Sequence, residues 1–182
     1  MRVLALGGIR SGKSLWAEST IADSVGADEP VCYVATGAMV VKGAASADAD
    51  WSARVAAHQL RRPQHWSTVE STDVAARLTA HPHTATLVDD MGGWLVGVMD
   101  RHGAWTGGSV TRDVDELIDA VDAFRGPLVL VSPEVGLSVV PATESGRLFA
   151  DALGALNQRL ATVCNQVTLV IAGQVLTVKE SQ

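Results

Sequence analysis

The chain has 182 residues, a length at which one domain buries a substantial core without disulfides or a structural metal, so a single globular unit over 1–182 is expected. Apolar residues make up 47% and aromatics only 4%, a balance that suits an α/β protein packed with Ala, Val and Leu and argues against a disordered chain. A formal net charge of -6 excludes the broad basic face with which proteins grip nucleic acid, so any bound anion has to be held locally.

Val3 to Leu6 is a short apolar run stopped by Gly7-Gly8, and Lys13 to Ser24 then reads as a helix, so the chain opens strand, loop, helix. Met1 leads straight into that strand, with no basic segment ahead of a long apolar one and no run of membrane-spanning length. Neither a signal peptide nor a membrane span is expected. Val31 to Ala35 is a second strand of the buried type. Gly37 to Asp50, rich in Gly, Ala and Ser, reads as a loop; Asp50 can cap a helix from Trp51 toward Arg62, which Pro63 ends. A weaker strand signal lies near Thr68. Ala85 to Val88 is another apolar strand, followed by Asp89-Asp90, and Thr111 to Phe124 is an amphipathic helix. Leu128 to Val131 then reads as a strand and Thr143 to Val163 as a long helix. Val167 to Ile171 follows, and Gly173-Gln174 turns the chain into a closing hairpin strand, Val175 to Val178. Strands alternating with helices imply a mostly parallel sheet flanked by helices. Cys32 and Cys164 form no metal-type spacing and read as two buried reduced thiols, as expected of a cytoplasmic protein. The five tryptophans read as packing residues.

Gly7-Gly8-Ile9-Arg10-Ser11-Gly12-Lys13-Ser14 matches G-x-x-x-x-G-K-[ST] between a strand and a helix, the context that this phosphate-binding loop requires. Its glycines let backbone N–H groups turn toward phosphate oxygens, the helix N-terminus adds partial positive charge, Lys13 neutralises the outer phosphates, and Ser14 can hold Mg²⁺. Such a loop needs a carboxylate at a nearby strand end to hold the metal or its waters. Asp89 is the candidate and Asp90 its rival, while a helix cap ahead of Gly92-Gly93 is an equal alternative for this pair. Asp89 to Gly92 also spells a D-x-x-G switch, but no guanine-reading Asn-Lys-x-Asp accompanies it.

Arg54, His58 and Arg62 recur every fourth residue, so a helix through them places an imidazole between two guanidiniums on one face. That face is either an anion site, where His58 could attack phosphorus, or a solvated basic surface; spacing alone leaves both open. Glu70, Glu134 and the pair Asn157-Gln158 draw notice only because open α/β sheets place functional groups at strand ends.

Taken in order, these segments resemble the bifunctional adenosylcobinamide kinase / adenosylcobinamide-phosphate guanylyltransferases. The matching pieces are residues 7–14, Tyr33 to Gly37, Arg54 to His58 with Arg62-Pro63 and Trp66, Leu87 to Asp89, Ser132 to Gly136 with Val140-Pro141, and Asn157 to Arg159. The resemblance implies a RecA-like P-loop fold, phosphorylation of adenosylcobinamide by GTP or ATP, and transfer of GMP from GTP onto the resulting phosphate through a guanylyl-histidine. It aligns His58 with the nucleophile, implies GTP contacts by Thr36, Gly37, Ala38, Gln59, Leu60, Arg61, Arg62, Glu70 and Asp89, and implies a homotrimer. The chain departs from the family pattern at Pro133, where Asn is common, at Ala150, where Arg is common, and at Asp90 and Gly92-Gly93. A P-loop kinase of one activity and a GTP-dependent regulatory switch are the alternative readings.

Overall fold

The computed structural model describes residues 1–37 and 62–181. The expected loop from residue 38 onward and the expected helix bearing Arg54 and His58 lie outside the described residues. Seven strands form one sheet: β1 (Arg2–Gly7), β2 (Cys32–Ala35), β3 (Ser67–Glu70), β4 (Thr86–Asp89), β5 (Leu128–Pro133), β6 (Gln166–Ile171) and β7 (Gln174–Glu180), in the spatial order β3-β2-β4-β5-β1-β6-β7. All neighbours run parallel except β7, which returns antiparallel to β6. The mostly parallel sheet and its closing hairpin are as expected from the sequence. The strand that feeds the Gly-rich loop lies inside the sheet, and β5 stands between it and β4.

Parallel strands covered on both faces read as continuous apolar runs, and here alternate residues sort to opposite sides. Val3, Ala5, Leu87, Val129 and Val131 pack with Ala17 and Ile21 of α1 (Lys13–Asp23). Leu4, Val34, Val88, Leu128 and Leu130 pack on the other side beneath four helices: α2 (Val74–Ala80), α3 (Met91–His102), α4 (Thr111–Ala123) and α5 (Glu144–Val163). Asp73 caps α2 by accepting from the Ala76 N–H (3.1 Å), and Thr143 caps α5 by accepting from the Gly146 N–H (3.1 Å).

Two of these helices depart from the expected elements. α3 carries Gly92, Gly93 and Gly97, each of which lowers helix propensity, so local reading passes over it. Its buried residues Met91, Trp94, Leu95, Val98 and Met99 nevertheless recur at the helical period, and tertiary burial holds the segment in shape. α2 is only seven residues long, too short for periodicity to register. The closing hairpin turns one residue earlier than expected, on Ala172-Gly173, both with positive φ (50° and 75°) as two-residue hairpin turns require. Trp94 is buried, Trp16 and Trp66 pack on the α1 side and Trp105 on the other, these four as packing residues, while Trp51 lies outside the described residues. Both cysteines are buried and free. Among the described residues no helix is long and apolar enough to cross a membrane.

Candidate functional site

The Gly7–Ser14 loop closes tightly at the end of β1. Ser11 N–H donates to the Gly8 carbonyl (3.3 Å), Trp16 N–H donates to the Gly12 carbonyl (3.0 Å), and Gly173 N–H ties the Ser11 carbonyl to the β6–β7 turn (2.8 Å). Arg10 (φ 57°) and Gly12 (φ 94°) take left-handed conformations that turn the loop over the N-terminus of α1. A Cβ on Gly7 would lie 2.4 Å from Ser11 Oγ and 2.7 Å from the Val170 carbonyl, so only glycine fits there. Ile9 stands exposed at the crest, and the Lys13 ammonium folds over the loop to donate to the Gly8 carbonyl (3.2 Å). Ser14 sits half-buried in the first turn of α1.

Asp89 and Asp90 take different places in the fold. Asp90 is the N-cap of α3, its Oδ1 accepting from the Gly93 N–H (2.8 Å), whereas Asp89 ends β4 and accepts from the Tyr33 hydroxyl through Oδ2 (2.7 Å). Asp89 to Gly92 is thus a strand end running into a helix start. Burial pushes the Asp90 carboxyl above its ordinary range and the Asp89 charge adds to this, while the Gly93 N–H and the Lys13 ammonium oppose it. Burial, together with the charge and hydrogen bond of Asp89, raises the Tyr33 hydroxyl far above the usual phenol range, so it stays a neutral donor to Asp89. Two strand intervals of about 4.8 Å put the end of β4 about 10 Å from that of β1. Asp89 and Ser14 supply hard oxygen donors, which suit a divalent cation. Among the described residues no three His, Cys, Asp or Glu side chains cluster as a metal cage, so phosphate oxygens and water would complete such a shell.

The remaining expected contacts separate. Thr36 is fully buried at the end of β2, its hydroxyl donating to the Asp90 carbonyl and its N–H to the Asp89 carbonyl (3.2 Å), with Gly37 next to it. Glu70 is exposed at the end of β3, four strand intervals, about 19 Å, from β1. The Arg62 guanidinium carbon lies 3.2 Å above the centre of the Tyr33 ring; its Nε is 3.9 Å from Glu18 Oε1 and its Nη1 donates to Thr68 Oγ1 (3.2 Å). A chain of contacts therefore runs Glu18, Arg62, Tyr33, Asp89. The roles of Tyr33 and Glu18 escaped the sequence reading; for Tyr33 one signal was present, a lone phenol in an otherwise apolar strand. Ala38, His58, Gln59, Leu60 and Arg61 lie outside the described residues.

A further cluster stands where β5 ends beside the cradle. Pro133 aligns with Gly7, and Glu134 N–H donates to the Gly7 carbonyl (3.1 Å). Beneath them the buried Ser132 hydroxyl donates to Asn157 Oδ1 (2.6 Å), whose Nδ2 donates to the Pro133 carbonyl (3.0 Å). Between the segment after Glu134 and α5 opens a cavity of about 610 Å³, with Leu6, Val139, Val140 and Pro141 among its walls and Arg147 and Asp151 at its side.

The profile of the family described as "Cobinamide kinase / cobinamide phosphate guanyltransferase" matches residues 3–178. The chain is 36% identical over 184 residues to the bifunctional adenosylcobalamin biosynthesis protein CobP of Pseudomonas aeruginosa, covering 98% of each chain. It is 32% identical to the bifunctional adenosylcobalamin biosynthesis proteins CobU of Escherichia coli and of Salmonella typhimurium, in each case covering 95% of this chain and 97% of the relative. The P4 protein from bacteriophage phi6 in complex with ADP is similar with a TM-score of 0.44 and 14% identity, over 100% of this chain and 56% of that one, and at this level adds nothing to the strand order.

Proposed function

The chain belongs to the cobinamide kinase / cobinamide phosphate guanyltransferase family, and we propose that it performs both reactions of that description: phosphorylation of adenosylcobinamide, then transfer of GMP from GTP to adenosylcobinamide phosphate. The observation that carries this reading is a complete phosphate cradle, Gly7 to Ser14, in a chain whose family match runs from residue 3 to residue 178. The triphosphate lies over the cradle N–H groups at the head of α1, where Lys13 offsets its charge. Mg²⁺ would be held by Ser14 and Asp89 and would supply neutralisation of the phosphate oxygens. GTP and ATP are the proposed nucleotides, with Thr36, Gly37, Ala38, Gln59, Leu60, Arg61, Arg62 and Glu70 as further contacts. The buried bond from Thr36 to the strand end before α3, and the stacking of Arg62 on the tyrosine that holds Asp89, support a linked nucleotide site.

In the guanylyl half, a ring nitrogen of His58 attacks the α-phosphorus of GTP; a P–N bond forms, the bond to the bridging oxygen breaks, and pyrophosphate leaves with the electron pair. An oxygen of the adenosylcobinamide phosphate then attacks the same phosphorus and the P–N bond breaks, returning the imidazole and joining the two phosphates. A covalent intermediate lets a large corrinoid and GTP use the site in turn. The reading places the enzyme in the cytoplasm as a homotrimer.

Incubation with Mg²⁺ and GTP labelled at the α-phosphorus, followed by denaturation, tests this. Acid-labile label is expected on the parent and not on His58→Asn. A parent that binds GTP but retains no label sinks the covalent mechanism and leaves a kinase of one activity.

A further inference from the structure

We propose that Glu134 is the general base of the kinase half, receiving the proton of the acceptor hydroxyl, and that the cavity beside it admits the arm of the acceptor that bears this hydroxyl. The assignment rests on the kinase half of the proposed function and names a residue and a place for a step that the phosphate cradle alone leaves without a base.

Position is the first argument. A phosphoryl acceptor has to reach the outer phosphate from the side of the cradle not filled by α1, and in an open α/β sheet ligands gather at the C-terminal strand ends. Glu134 leaves β5 one strand interval from β1, about 5 Å, and its own N–H is bonded to the carbonyl of the first glycine of the cradle (3.1 Å). No other described carboxylate at that edge is so placed. Asp89 accepts from Tyr33, Asp90 caps α3, and Glu70 stands about 19 Å away at four strand intervals.

Rigidity is the second. A base has to stand within hydrogen-bond reach of the proton that it takes, so its backbone must be held. The buried Ser132–Asn157–Pro133 network does this: both polar side chains are satisfied inside the core, and the carbonyl immediately before Glu134 is anchored to α5. The carboxylate itself accepts from the Gly136 N–H through Oε1, which orients it along the turn that follows β5.

The third is the space. Glu134 lines the 610 Å³ cavity, a size common in small-molecule sites, and Leu6 at the end of the cradle strand lines the same cavity. Its walls are mostly apolar, with Asn157, Gln158, Arg147 and Asp151 as scattered polar groups. Such a lining suits an uncharged hydroxyl-bearing arm better than a second phosphate. In the step, the hydroxyl oxygen attacks the γ-phosphorus and its proton passes to Glu134. The new P–O bond forms as the bond to the β–γ bridging oxygen breaks, the nucleoside diphosphate leaves with that electron pair, and Glu134 then releases its proton to water.

The test compares Glu134→Gln with the parent in two separate assays, phosphorylation of adenosylcobinamide by nucleoside triphosphate, and transfer from α-labelled GTP to supplied adenosylcobinamide phosphate. Kinase kcat is expected to fall about 10²–10³-fold. GTP affinity and the guanylyl transfer should stay within about threefold, since neither requires that proton. Glu134→Asp should recover part of the rate. Gly136→Ala, whose Cβ would stand 2.9 Å from Glu134 Oε1, should lower the kinase rate selectively. A Glu134→Gln enzyme with unchanged kinase kcat, or one that loses both activities and GTP binding together, overturns the assignment. A parent that labels at His58 yet never phosphorylates adenosylcobinamide brings down the kinase half itself, and the base with it.

Discussion

Pro133 and Gly92 stand close together where β5 ends and α3 begins. A Cβ on Gly92 would lie 2.9 Å from Pro133 Cγ and 3.2 Å from Pro133 Cδ, atoms of a ring that cannot swing aside. The proline therefore requires the glycine across the β4–β5 edge of the site. Gly92→Ala should destabilise the protein by roughly 1–2 kcal/mol, the cost of overpacking less the small helix-propensity gain of alanine. In a Pro133→Ala background most of that loss should vanish, and denaturant unfolding of the four proteins measures the coupling. Equal costs in both backgrounds would show that the ring is not what Gly92 avoids. Gly93 is held as closely, since its Cβ would meet the Gly37 backbone at 3.1 Å and Thr36 Oγ1 at 3.2 Å. The pair looks in sequence like a helix breaker; in the fold it lets α3 start against two strand ends.

At the scale of elements, α5 shows how one helix serves both core and site. Leu153, Leu156 and Leu160 are buried, and Asn157 on the same face anchors the end of β5. Its C-terminus is closed by Lys179 from β7, whose ammonium donates to the carbonyls of Ala161 (2.7 Å), Thr162 (3.2 Å) and Cys164 (2.8 Å), a cation where the helix dipole is negative. Burial pushes the Cys164 thiol at this junction up to about 12 from an ordinary 9.0, against the smaller pull of Arg2 and Lys179. The unfolded chain then loses this proton at a lower pH than the folded one. The associated stability is whole below about pH 9 and is lost as pH rises toward about 12. Between about pH 8 and about pH 10 the parent should lose about 1 kcal/mol more than Cys164→Ala, which has no thiol to ionise, as read from denaturant midpoints. Identical losses would mean that the thiol is not so shielded. Helix α5 was legible because a long amphipathic stretch follows Thr143, whereas α3 was not, because three glycines outweighed its apolar spacing.

For the whole molecule, the sheet ends in an exposed strand. Among the described residues β7 pairs only with β6, and Ile171, Val175, Leu176 and Val178 are each 44–61% exposed on or beside it. Edges of this kind are usually covered or paired, which supports the proposed trimer. Light scattering after size exclusion should give three times the 19.0 kDa chain mass, and Leu176→Asp should shift it toward monomer. A monomeric parent removes the trimer; an unaffected variant places its interface elsewhere. The order of the strands and of helices α1, α4 and α5, the phosphate cradle and the acidic end of β4 were determined by sequence alone, because apolar periodicity, glycine spacing and loop context are local properties. The separate positions of Asp89 and Asp90, the Glu18–Arg62–Tyr33–Asp89 chain, the fit of Pro133 against Gly92, and the place of Glu134 beside Gly7 were decided only by tertiary structure. Each joins residues from separate strands or helices, and sequence spacing carries no information about which strand ends become neighbours until the sheet order is set.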